Sequence, residues 1–563
     1  MSLFEHSLAR NAGCGCHACA VNPSRLWAIA AFVVLGLGCL VLGCWLRVVD
    51  APEWMLPDTT QQPPAMRPWA VEADCYSQLA RVQRILHGQG LIQNHFKVEN
   101  WPEGLTPSTT APFDYAILLL YAPLSLFTSH PLDWAGALVS PALWVGLVFF
   151  WTLFRSREFN LAGRALFLIG SAALPAFIWA TACGRPRHQS LILALMAIGL
   201  TAEYERWQIE LTPKRAWNIF AGIVWGLACW TSLFEPTVVV LALVLFNLIV
   251  RRRENPAFLI SFGFVMLAAL LLEGVHIFNI SSLTPEYRQY LLNWLSTIAE
   301  VQPVTFAGMM QRMTLMLLIL PLLAWRLWPR ANGNKTDALL ILLTLLLTSL
   351  TVMQSRWVYY ASLGELFLIV RYFQTAPAHW TRLVVLLVFL IGMADADNTQ
   401  IEGSAHSPPN QPSLQLAQIA CAIDQPGGIM APWWLSPGLL YFSGQPIVSG
   451  SSHCGISGIV ASAEFFACTS WPAAERILRE RQVRWVVVWD DQNIYNGQQL
   501  VYPLVNNSCG ILGLPFVSDD NQGDVNSTMA QILFSDENLP DSLHLRGVTP
   551  QLKLYEYLPD TVK

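Results

Sequence analysis

The chain has 563 residues, 54% of them hydrophobic and only 13% charged, with 23 Trp and 27 Phe. That composition excludes an ordinary soluble domain and points to a polytopic membrane protein. The net charge of −5 says little by itself, because where the charges fall carries the information.

Residues 1–25 form a polar head whose Cys14, Cys16, His17 and Cys19 fit no standard zinc spacing, so it reads as a cytoplasmic tail. The apolar run 26–46 is long enough to span and reads as a signal anchor rather than a cleaved leader. Residues 49–132 then form a long first outer loop rich in Pro and Trp. Its apolar stretch 115–127 is short for a span and is expected to lie along the membrane surface. Further apolar runs at 133–154, 164–182, 189–204, 217–233, 236–250, 257–277, 308–325, 338–354, 357–370 and 383–394 bring the total to about 11 spans.

Alternate connections carry the basic residues: Arg155, Arg157 and Arg164; Arg206, Lys214 and Arg215; Arg251, Arg252 and Arg253; Arg326, Arg330 and Lys335; Arg371 and Arg382. By the positive-inside bias these connections are cytoplasmic, which puts everything after residue 395 outside. Residues 395–563 have the size of one domain. They open with a Pro/Ser/Asn linker at Ser407–Ser413 and then combine a helical stretch at Ala473–Arg481 with the β-like run Val483–Trp489. The expected fold is a polytopic α-helical membrane domain over 26–394 with a C-terminal extracytoplasmic α/β domain.

Some charges fall on the outer face against this bias. Arg185 and Arg187 sit in the brief outer loop Gly184–Gln189, and Arg356 lies at the outer end of a span. Snorkelling or lipid-phosphate pairing accounts for such residues singly. Together they suit an anionic lipid-borne substrate, because guanidinium forks onto phosphate oxygens. Acids gather on the same face: Glu72-Ala73-Asp74 followed by Arg81 in the first outer loop, Glu300 in a loop between two apolar runs, Glu235 at a short turn, and Glu273 with His276 at a helix end. Carboxylates at membrane depth are costly and mark function. Glu365, within a span, reads as a buried structural carboxylate.

Taken in order, these stretches resemble the catalytic subunit of oligosaccharyltransferase and its single-subunit counterparts, among the GT-C membrane glycosyltransferases. Asp74-x-Tyr76 is similar to the first acidic motif, and Gly184–Gln189 stands in the place of the second. Thr297-Ile298-Ala299-Glu300 matches a Thr-Ile-x-Glu motif, extended by Val301-Gln302-Pro303. Arg356 corresponds to the arginine that contacts the lipid-linked pyrophosphate, and Pro432-Trp433-Trp434 falls where the family carries Trp-Trp-Asp. Ser449–His453 reads as a flexible small-residue loop.

The resemblance covers residues 26–490 and implies a glycosyltransferase of the bacterial inner membrane with its C-terminal domain in the periplasm. It implies a polyprenyl-phosphate or polyprenyl-pyrophosphate sugar as donor and a protein or glycan as acceptor. Asp74 and Glu300 are then catalytic and candidate ligands of Mg²⁺ or Mn²⁺. Arg356, Arg187 and His188 hold donor phosphate, while Trp433, Trp434 and His453 face the acceptor. Two departures stand out: Arg187, His188 and Gln189 replace the acids of the second motif, and Leu435 replaces the Asp of Trp-Trp-Asp. The first weakens the case for a metal, and the second weakens the case for sequon recognition. A GT-C transferase using a monophosphate sugar to modify a glycan or lipid is the alternative, as is a non-catalytic homologue. No inverted repeat of a transporter and no nucleic-acid module is found.

Overall fold

The computed structural model describes residues 23–49, 54–58, 65–72, 75–107, 109–154, 159–207, 214–251, 254–274, 284–331, 335–375, 379–406, 411–489, 495–496, 499–500, 503–515 and 527–559. The cysteines of the polar head lie outside the described residues, as do Asp74, His276, Arg155, Arg157, Arg252 and Arg253.

Prolines and short polar side chains fix where the helices begin. After α1 (Pro23–Val49) the first outer loop folds as a hairpin of β1 (Met55–Asp58) and β2 (Ala65–Pro68), then α2 (Cys75–Leu86) and α3 (Pro112–Leu124). The bundle continues with α4 (Pro131–Leu153), α5 (Leu161–Ala173), α6 (Pro175–Ala180), α7 (His188–Trp207), α8 (Lys214–Thr231), α9 (Glu235–Ile249) and α10 (Pro256–Glu273). Next come α11 (Pro285–Thr297), α12 (Phe306–Met313), α13 (Met316–Ala331), α14 (Lys335–Met353), α15 (Val358–Thr375) and α16 (His379–His406). Proline occupies the first turn of α3, α4, α6, α9, α10 and α11, where its missing N–H costs nothing. Asn160, Asn255 and Thr305 cap α5, α10 and α12 through their side chains.

Among the described residues four helices are long and apolar enough to cross a membrane: α1, α4, α10 and α14. The pair α12 and α13 makes a fifth if its 76° bend is taken as one broken span. Two expected runs are divided. The run 164–182 breaks into α5 and α6 at Leu174, before Pro175. The run 308–325 breaks at Thr314, whose φ of 64° ends α12. Other runs make helices with charges inside them. In α15, Val358 to Tyr372 are all buried and include Glu365 and Arg371, so this helix is the central post of the bundle. Around it, Trp151 stacks on Phe167 at 3.8 Å and meets Phe367 edge-on.

The expected membrane-surface stretch forms α3, packed on α2 and α4, with Leu119 exposed on it and Leu126 and Phe127 exposed just past its end.

α16 runs on to His406, and the chain then builds α17 (Gln411–Cys421), β3 (Gly428–Met430), α18 (Ser436–Ser443), α19 (Ile456–Ala467), α20 (Trp471–Glu480) and β4 (Val483–Trp489). β5 (Tyr495–Asn496), β6 (Gln499–Leu500), α21 (Pro503–Leu512), a helix at Met529–Ser535, β7 (Leu543–Val548) and β8 (Leu552–Tyr557) complete it. The main sheet has the order β3-β4-β8-β7, with β3 parallel to β4 and the other pairs antiparallel. β4 is nearly apolar throughout because helices or loops cover both its faces.

The first outer loop is joined to this sheet. Ile447 donates its N–H to Val98 O at 2.8 Å and accepts from Trp101 N at 3.0 Å, while bridging Ile429 of β3 on its other side. α2 packs on α18 through Tyr76 and Tyr441, whose rings lie 5.2 Å apart. Asn293 of α11 donates to Ile511 O of α21 at 3.1 Å. Membrane bundle and C-terminal domain therefore share one cleft.

Candidate active site

The outer loop before α7 is held in place by its backbone. Gly184 has φ 71°, and a Cβ there would meet Trp54 and the carbonyl of Trp69 at under 3 Å. With no side chain in the way, Val71 N bonds Gly184 O at 2.8 Å, which sets Glu72 beside the arginines that follow. Ser140 Oγ donates to Arg185 O at 2.6 Å and Ser190 Oγ to Arg187 O at 2.7 Å. In this frame the Arg187 guanidinium bridges two carboxylates, Glu72 and Glu300, and Arg185 Nε lies 3.6 Å from Glu72.

Glu300 stands on a single 3₁₀ turn, Ala299–Val301, between α11 and α12. That turn is tied to a second one, Ser355–Trp357, which carries Arg356: Ser355 donates its N–H to Gln302 O at 2.9 Å and its Oγ to Ala299 O at 3.1 Å. Arg356 pairs with the fully buried Glu235, lies over the Phe234 ring and has a buried Nε without a partner. Ser232 Oγ donates to the other Glu235 oxygen at 2.7 Å. His188 is half-buried, within electrostatic reach of Glu235, Arg356, Glu300 and Arg81. Arg312 of α12 lies over the Trp179 ring at 4.3 Å and forms no ion pair with a carboxylate among the described residues.

A cavity of about 180 Å³ opens between these elements. Arg187, His188 and Glu300 line one part of it; Ser77 and Arg81 of α2, Glu99, and Ser451, Ser452 and His453 line the rest. Burial pushes the His453 imidazole below its usual range, and Arg356 adds to the effect.

The loop expected to be flexible is held by its hydroxyls. Ser449 is fully buried and donates to Ala431 O at 2.7 Å, Ser451 Oγ meets Ser77 Oγ at 2.9 Å, and Ser452 caps the turn His453–Gly455.

The structure thus gathers Arg187, His188, Glu300 and His453 around one cavity, with Arg356 behind His188 and Glu300. Asp74 lies outside the described residues, although its neighbour Cys75 lines the cavity. Trp433 and Trp434 are half-buried in an aromatic row. Trp433 meets Trp294 of α11 at 5.5 Å and donates Nε1–H to Asn507 Oδ1 at 3.1 Å, and Trp434 packs against Trp489. They clasp α11, and hence the Glu300 turn, to the C-terminal domain. Glu99 and Arg312 carry no motif and escape a sequence reading.

Of the two expected metal ligands only Glu300 lies among the described residues, and it is engaged by a cation. Among the described residues no three His, Cys, Asp or Glu side chains are grouped to hold one. Glu72 and Glu300 are both turned onto the Arg187 cation, whose charge opposes a second cation between them.

No protein family profile and no curated protein matches the chain. Solved structures do. The apo oligosaccharyltransferase of Archaeoglobus fulgidus gives a TM-score of 0.68 at 12% identity, over 91% of this chain and 79% of that one. AglB of the same organism, in complex with an inhibitory peptide and a dolichol-phosphate, gives 0.66 at 13% identity, over 93% and 79%. ArnT from Cupriavidus metallidurans, bound to undecaprenyl phosphate, gives 0.53 at 11% identity, over 94% and 98%. At such identities the likeness is one of fold. In that fold the chain is similar to archaeal oligosaccharyltransferase and to ArnT, both GT-C glycosyltransferases.

Proposed function

We propose that the chain is a membrane glycosyltransferase that moves a sugar or glycan from a polyprenyl phosphate or pyrophosphate to an acceptor at the outer face of a bacterial inner membrane. Residues 26–394 would form its membrane domain, with about 11 crossings, and residues 395–563 its periplasmic one. One observation carries the reading: Arg187, lining a cavity walled by both domains, bridges Glu72 and Glu300, with Arg356 and Arg312 within electrostatic reach of Glu300.

The acceptor nucleophile attacks the anomeric carbon, the bond from that carbon to the phosphate oxygen breaks, and the phosphate leaves with the electron pair. Arg356 and Arg312 meet the growing charge. A preorganised cation of this kind is worth about 3 kcal/mol in a water-poor site. Arg187 supplies positive charge where the family's second motif has acids, and it holds Glu300 in place. His188 neighbours the phosphate side, Asp74 and Glu300 orient the acceptor, and Trp433, Trp434 and His453 border its approach.

A monophosphate sugar donor is the second reading. It is favoured by the alignment over 98% of ArnT, and by Leu435 in place of the acid that follows the paired tryptophans.

The test supplies full-length protein in nanodiscs with labelled polyprenyl-phosphate and polyprenyl-pyrophosphate sugars and measures the lipid phosphate released. Release is expected to persist in chelator and to fall about 100- to 1,000-fold in Glu300→Gln and Arg356→Ala. Full release by both variants sinks the assignment. Release lost in chelator and regained with Mn²⁺ overturns the role given to Arg187. The phosphate product, mono or pyro, chooses between the two donors.

A further inference from the structure

Glu99 is a carboxylate that no motif accounts for. It is only 5% exposed, yet it lines the cavity together with Glu300, His188 and His453. Its Oε1 has no hydrogen-bond partner, although the carboxylate accepts the N–H of Ser452. A buried carboxylate oxygen without a donor is costly, and such orphans call for an explanation.

The surroundings are shaped to admit this side chain. A Cβ on Gly450 would fall 1.9 Å from Oε1, so only glycine leaves room for the carboxylate there. The backbone on either side is anchored: Val98 and Trp101 bond Ile447, and Asn100 Oδ1 accepts from Gly458 N at 2.8 Å. Glu99 therefore keeps its place whether or not it is ionised. Arg81 is the cation that acts on it, but that guanidinium is engaged by Asp114 at 2.9 Å and by Gln78. The wall carries the hydroxyls of Ser77, Ser451 and Ser452 and the imidazole of His453 beside the apolar faces of Phe96 and Leu105. Hydroxyl partners next to an aromatic face suit a sugar alcohol.

We propose that Glu99 is the general base that takes the proton from an acceptor hydroxyl in this cavity, a step that rests on the transferase reading above. The acceptor oxygen forms its bond to the anomeric carbon, its proton passes to the Glu99 carboxylate, and the lipid phosphate leaves with the bonding pair. The acceptor is then an alcohol, such as a sugar hydroxyl. Burial supports the role by pushing the carboxyl up to about 7, against the pull of Arg81 and the Ser452 N–H.

The test uses chemical rescue. Full-length protein in nanodiscs receives a panel of labelled polyprenyl-phosphate sugars, with water or sodium azide as acceptor. Azide needs no deprotonation. Glu99→Ala is expected to release sugar to water about 100-fold more slowly than the parent. Azide should restore that variant about tenfold, with glycosyl azide as the product. Arg356→Ala, which keeps the base and lacks the leaving-group cation, should not be restored. Glu99→Gln, which keeps the acceptor for Ser452 N–H, should lose the same rate without any lowering of its melting temperature.

Parental rates in Glu99→Gln, or a loss in Glu99→Ala that azide fails to lift, overturn the proposal and leave a purely structural side chain. A parent protein that consumes no donor of the panel overturns the transferase reading itself, and this step with it.

Discussion

At the C-terminal end of α7, Arg206 is enclosed and satisfied. Its Nε donates to Glu203 at 2.7 Å, its other nitrogens fork onto Glu254, and the indoles of Trp207 and Trp225 each donate to Glu203 at 3.0 Å. About 30 Å away, one helix length, the N-terminal end meets a cluster of the same residue types. There Glu72 and Glu300 stay partly open to solvent, while Gln189 Oε1, Arg356 Nε and Glu99 Oε1 have no partner. Equal chemistry thus has two uses. A closed network fixes helices against one another, because every desolvated charge is compensated. An open one keeps donors and acceptors unspent for a substrate, and it gives up stability to do so.

Substitutions on the two sides should separate these uses. The largest effect on folding is expected from Glu203→Ala, which takes the buried acceptor from Arg206 Nε and from two indole N–H groups. Removing one partner from such a buried pair costs about 3–5 kcal/mol. Thermal unfolding should read that loss while turnover per folded molecule stays within about twofold of the parent. Arg187→Met should do the reverse, with turnover down about 100-fold and little change in melting. Equal stability losses from the two would erase the distinction.

A smaller effect is expected from Gly184→Ala, where a positive φ and contact with Trp54 and Trp69 both resist a methyl group. Strain of about 1–2 kcal/mol should shift the loop that carries Arg187 and lower turnover about tenfold. Unchanged kinetics would show that the loop is less firmly set than its hydrogen bonds indicate.

The effect confined to one pH window comes from Glu99. The fold raises the Glu99 carboxyl from 4.5 to about 7, so the folded state holds its proton longer than the unfolded chain. The resulting stability is fully present below about pH 4.5 and is lost as pH rises through about 7. Melting temperatures of the parent and Glu99→Gln across that window should diverge, with the parent falling relative to the variant. Parallel curves would mean that the carboxyl is solvated.

Local signals in the sequence reached some of this. Val483–Trp489 announces a strand by its valines and tryptophans, and it is β4 residue for residue. The helix expected at 473–481 is α20, starting two residues earlier at Trp471. Arg187 and Glu300 could be assigned to one face because charge bias reports sidedness. Hydropathy is blind to a break inside an apolar run, so neither the division at Leu174 nor the turn at Thr314 could be read from it. Ser449–His453 looked mobile because small residues pack weakly, but their hydroxyls are pinned by partners distant in sequence. Glu99 was invisible for the same reason. Its burial depends on pairing with Ile447, almost the length of the bundle away along the chain.

That pairing has a consequence for biosynthesis. The cleft is made partly of segments translated early and partly of segments translated late, stitched at Ile447. A nascent chain still on the ribosome displays the guanidinium cluster but lacks the hydroxyl wall opposite it. The cleft is therefore complete only once the last domain has met the first loop.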